Sequence, residues 1–147
     1  MNKRQALPTQ LDYYGLYLLN YLTENRFAQA ADKEFVRERA ERAADTYEQS
    51  RREGLAPDAA QERAMDALTR GLRFPPFALL AEILEREFPD EVPQEDIAAA
   101  ATALLPHLRG ILSRYALSDD FAQSPEYDRL YSELTGAVAL HIEAYGI

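Results

Sequence analysis

Residues 115–132 read YALSDDFAQSPEYDRLYS, bringing Asp119, Asp120, Glu126 and Asp128 together with three tyrosines and a Ser-Pro pair. Carboxylates at that density could hold a divalent cation. A calcium loop, however, needs closer-spaced oxygen ligands and a glycine in mid-loop, and this stretch contains no glycine. Helix punctuation accounts for the same residues. In Ser124-Pro125-Glu126 the serine is a cap, the proline suits the first helical position, and the acid suits the positive end of the dipole. Asp119 and Asp120 are placed to accept from nearby backbone N–H groups in a turn. The stretch therefore reads as a junction between helices.

Chemistry elsewhere is sparse. The chain has two histidines and no cysteine, so thiolate catalysis, disulfides and zinc–sulfur sites are out. His141 lies on the apolar stripe of the last helical segment, in angle between Leu130 and Leu134, and reads as a core or helix-flank residue. His107 directly follows Pro106 at the edge of its own apolar face. They could bind a metal or act as acid and base only if the fold joined them to a carboxylate. Sequence spacing gives no reason to expect that. HExxH, Glu-x-x-His, a phosphate-cradling glycine loop and GxSxG are all absent. No catalytic, cofactor-binding or metal-ligating residue is assigned, no cofactor is implied, and enzymatic activity has no support.

Helical periodicity dominates, and no segment alternates with period two. The expected fold is all-α: a single-domain bundle of about six helices over residues 11–147, preceded by a flexible N-terminal segment, residues 1–10. The first helix, Leu11–Glu24, is apolar nearly all round. Tyr13, Tyr17 and Tyr21 form one stripe, Leu11, Leu18 and Leu22 another, and Leu16 and Leu19 fill much of the rest. Such a helix is either central to its bundle or shared with a second subunit. The second helix, Lys33–Glu53, is capped by Asp32 and lines up Val36, Ala40, Ala43 and Tyr47 on one face. Its outer face pairs Arg37–Glu41, Glu38–Arg42 and Glu48–Arg52 at i,i+4. Gly54 stops it, and Pro57 opens a third helix ending near Gly71. Alanines on both helices predict a close antiparallel hairpin near residues 33–71, which does not recur along the chain as a solenoid would require. After the break at 73–76 (RFPP) come a fourth helix, Phe77–Phe88, and an acidic link, PDEVPQED. The fifth helix, Pro93–Tyr115, keeps one apolar phase across Pro106, so it is expected as one kinked helix. The sixth follows Ser124, with Tyr127, Leu130, Tyr131, Leu134, Val138, Ile142 and Tyr145 inward.

Charge is lopsided. Residues 1–73 hold 12 basic and 12 acidic side chains, whereas residues 74–147 hold 4 and 13, which is the whole net charge of −9. Such a field repels phosphate backbones, so direct nucleic-acid binding is not expected. Glu82, Glu85, Asp90 and Glu91 instead form a solvated acidic face or a docking surface for a basic protein partner. No apolar run reaches the ~18–20 residues that span a membrane, no secretory signal is recognisable, and the expected location is the cytoplasm.

Four stretches carry a family resemblance: LDYYGLYLLNYL, TYEQSRREGLAPDAAQERAMDALTRGL, DEVPQED and LSDDFAQSPEYDRLYSELTGAVAL. Through them the chain resembles domain of unknown function 1896, small helical proteins of gut-type anaerobic bacteria, from Leu11 onward. The resemblance implies an all-helical fold and a setting near conjugative elements. It implies no activity, and no residue gains a role from it. Three functions compete. One is a non-catalytic interaction or accessory protein, in its concrete form a homodimer through Tyr13, Tyr17 and Tyr21. The second is a small-molecule binder or enzyme with a pocket near the Pro106 kink. The third is an acidic DNA mimic that inhibits a nucleic-acid enzyme.

Overall fold

The computed structural model describes residues 8–146, with side chains from Asp12 onward. Every regular element among the described residues is helical. The α-helices are α1 (Pro8–Glu24), α2 (Lys33–Arg52), α3 (Pro57–Thr69), α4 (Pro76–Glu87), α5 (Ile97–Leu104), α6 (Arg109–Leu112) and α7 (Tyr127–Tyr145). They gather into two compact units that divide after Arg70. Of the segment expected to be flexible, residues 1–7 lie outside the described residues. Pro8 already belongs to α1, as suits a residue with preset φ and no N–H to lose. No helix among the described residues is long and apolar enough to cross a membrane.

In the first unit α1 packs on α2, and α2 pairs with α3 as the expected hairpin. The helices touch through small side chains. Ala40, Ala43, Ala44, Ala60, Ala64 and Ala67 are all buried, and a Cβ placed on Gly15 of α1 would lie 4.0 Å from that of Ala40. The local signals hold. Asp32 accepts from the Phe35 N–H at 3.1 Å, filling one of the unpaired donors of the first turn. Gly54, at φ 97°, ends α2. Its N–H donates to the Arg51 carbonyl and that of Leu55 to the Ser50 carbonyl, both at 3.0 Å, the paired bonds of a Schellman stop. All three expected ion pairs of the outer face form, at 2.9, 3.7 and 3.9 Å. They are solvent-exposed supports of little energy.

The second unit is built on larger residues. Leu79, Leu80, Ile83 and Leu84 of α4, Ile97, Ala100, Ala101 and Leu104 of α5, and Leu130, Leu134 and Val138 of α7 form one buried cluster with Leu108, Leu112 and Phe121. Helix five differs from expectation. Pro106 has no N–H for the carbonyl one turn back, and the chain tightens there into a 3-10 turn, Leu105–Leu108, between α5 and α6. A second 3-10 turn, Gln94–Asp96, stands where the first turn of the expected helix would be and carries Glu95 and Asp96. Tyr145, expected in the core, is 81% exposed.

Candidate functional site

The exposed face of α1 is the first candidate. Among its described side chains, this helix buries Tyr14, Leu18 and Leu22, spaced four apart. The burial line is thus set by Tyr14 and two leucines, not by the tyrosine stripe read from the sequence. The Tyr14 hydroxyl donates to Gln61 Oε1 of α3 at 2.8 Å, and burial, helped by Tyr47 and Tyr13, pushes this phenol up to about 12. Tyr13, Leu16, Tyr17 and Leu19 face outward at 52%, 62%, 42% and 39% exposure. Tyr13 lies beside Tyr17, ring centres 6.4 Å apart. Tyr21 departs from that stripe. It is half-buried and stacks on Phe27, ring centres 6.3 Å apart.

The acidic segment is less uniform than its sequence. Glu82 pairs with Arg86 at 2.8 Å on α4, whereas Glu85, Asp90 and Glu91 are exposed. Glu87 accepts from the Tyr131 hydroxyl at 2.8 Å. That phenol is pushed up to about 12, first by burial and then by this bond. Tyr115 likewise donates to Glu133, and this bond raises its pKa.

The opening stretch is structural, by a longer reach than its spacing suggested. Asp119 accepts from the backbone N–H groups of Gly71 (2.8 Å) and Arg73 (3.0 Å) through its two carboxylate oxygens. Asp120 accepts from the Ser118 hydroxyl at 2.8 Å. Ser124 does not cap by its side chain. Its backbone carbonyl takes the Tyr127 N–H at 3.3 Å, while its Oγ is buried with no hydrogen-bond partner, and α7 begins at Tyr127. Asp119, Glu82 and Glu87 are thus engaged within the fold, whereas Glu85, Asp90 and Glu91 stay exposed.

Around Pro106 the inward positions Ala101, Leu104, Leu108 and Leu112 are filled by the core cluster, which leaves little room there for the expected pocket. An open groove of ≈ 570 Å³ runs elsewhere, over Glu41, Asp45, Gln49, Ser50 and Arg63. Small-molecule sites mostly enclose their ligand, whereas this groove lies open to solvent between charged side chains. His107 and His141 do approach, a point their sequence spacing left open, with ring centres 5.1 Å apart. His141 also meets the Tyr145 ring at 4.9 Å. No carboxylate completes a triad there: among the described residues, no group of three or more His, Cys, Asp or Glu is placed to hold a metal ion.

The family model described as Domain of unknown function (DUF1896) matches residues 7–147. Among solved structures, the crystal structure of protein PG0816 from Porphyromonas gingivalis is similar at 33% identity. It matches with a TM-score of 0.85 over 92% of this chain and 93% of that one. No curated protein matches the chain.

Proposed function

The chain belongs to the DUF1896 family, and from that premise we propose a non-catalytic interaction protein that pairs with a second copy of itself through α1. The observation that carries the reading is the outward row of Tyr13, Leu16, Tyr17 and Leu19, each at least 39% exposed. Contiguous apolar surface of this kind is costly to leave wet and marks interaction sites. Tyrosine suits such a face because its ring buries area while its hydroxyl stays at a polar edge. A helix face meeting its own symmetry copy is the simplest closed arrangement. Asp12, Asn20 and Glu24, all exposed on the same helix, add polar groups among these apolar side chains.

Light scattering and sedimentation over a concentration series test the reading. The wild-type chain is expected to dimerise. Leu16→Glu with Tyr17→Glu is expected to be monomeric with unchanged helical circular dichroism. A wild-type chain that stays strictly monomeric at high concentration overturns the dimer.

A second reading gives the exposed carboxylates of Glu85, Asp90 and Glu91 to a basic protein partner, with Glu82 at the edge of the same segment. Its support is the exposure of those three acids and the excess of acid over base in the second unit. Both readings have the protein acting in the cytoplasm, in the mobile-element setting that the family resemblance implies.

A further inference from the structure

We propose that His107 and His141 form a two-imidazole half-site for a borderline divalent transition-metal ion, Zn²⁺ foremost, with its remaining positions left to solvent or to an added donor. These are the chain's two histidines. They lie far apart in sequence, on different elements of the same unit, yet their rings meet at the surface. The spacing has a chemical meaning. An imidazole nitrogen sits about 2.0–2.1 Å from Zn²⁺, and two such rings at a tetrahedral angle have centres roughly 5 Å apart. The observed separation is 5.1 Å.

Both side chains are mounted on anchored backbone. His107 follows the buried Leu104 by one helical turn, inside the 3-10 turn set by Pro106. His141 follows the buried Val138 by one turn of α7. Neither imidazole makes a hydrogen bond among the described residues, so both rings keep their nitrogens for a ligand. His107 is exposed and His141 half-buried, so an ion reaches the pair directly from solvent. The donor set selects the ion: imidazole suits Zn²⁺, Cu²⁺ and Ni²⁺, whereas Mg²⁺ and Ca²⁺ take oxygen donors. With two protein ligands the site is open and exchangeable, unlike a closed four-ligand structural centre.

Because the chain carries two imidazoles, proton NMR reads both directly. Zn²⁺ alone, titrated into the full chain, is expected to shift the ring resonances of His107 and His141 together and to saturate at one ion per chain. His107→Ala and His141→Ala, each checked for unchanged helicity, are expected to weaken that binding about tenfold or more, since each removes one of two donor bonds. Co²⁺ as a second probe should give the intense visible absorption of a near-tetrahedral ion in the wild type and lose it in either variant. Zn²⁺ binding that leaves either ring unshifted, or survives both substitutions at full strength, assigns the ion to surface carboxylates and overturns the site.

Discussion

The two units solve the same packing problem with opposite materials. In the first, α2 and α3 meet through Ala43, Ala44, Ala60 and Ala64, each with no exposed surface. In the second, Leu80, Ile83, Leu84, Leu104, Leu130 and Leu134 interdigitate around one cluster. Alanine faces let backbones come close but bury little apolar area per residue, so the hairpin relies on fit. A leucine cluster removes far more area from water and relies on volume. The first unit should therefore be sensitive to addition, and the second to deletion.

The largest expected effect is in the second unit. Leu130→Ala should cost about 2–5 kcal/mol in urea unfolding, the transfer loss plus the cavity left behind. A loss below about 1 kcal/mol would mean that the cluster collapses freely and is not a volume-limited core. Next comes the first unit, where Ala43→Leu should cost about 1–3 kcal/mol by forcing α2 and α3 apart. In the same assay, Ala43→Gly should cost only about 1 kcal/mol, a helix-propensity penalty. Equal costs for the two would remove the contrast between the units.

A smaller effect separates the tyrosines, one in each unit, whose pKa is pushed up to about 12. An unfolded tyrosine ionises near 10.0, whereas Tyr14 in the fold stays neutral to about 12. Between those values the unfolded chain binds fewer protons than the native one. The stability contributed by the neutral phenol is therefore complete below pH 10 and drains away as pH rises through about 12. Tyr131 shows the same rise while remaining half-exposed beside Glu87. Unfolding curves from about pH 9 to 12 should lose part of their alkaline slope in Tyr14→Phe, by up to about 2 kcal/mol, and less in Tyr131→Phe. A larger change from Tyr131→Phe would reverse the assignment of burial as the chief cause.

What was legible in the sequence follows a physical line. Caps, stops and ion pairs act over one helical turn, so Asp32, Gly54, Pro57 and the pairs of α2 could be read from neighbours alone. The all-helical class was legible from the 3.6-residue period. Partnerships across the chain were not. The inward choice of Tyr14 over Tyr13 and Tyr17 depends on where α2 and α3 lie. In retrospect Tyr14, Leu18 and Leu22 at i, i+4, i+8 were the available signal. The meeting of His107 and His141 needed the packing of α7 against the Pro106 turn, which no local spacing encodes. At Ser124 the local signature was present, but its hydroxyl was buried and the expected side-chain cap was not made.

Asp119 has a consequence for dissecting the chain. Its carboxylate grips the amides of Gly71 and Arg73, at the first residues of the second unit. A fragment beginning at or before Gly71 keeps this latch whole, whereas one trimmed past Arg73 removes both of these bonds. The safe scissor point therefore lies upstream of the glycine, inside the stretch after α3 that looks most expendable.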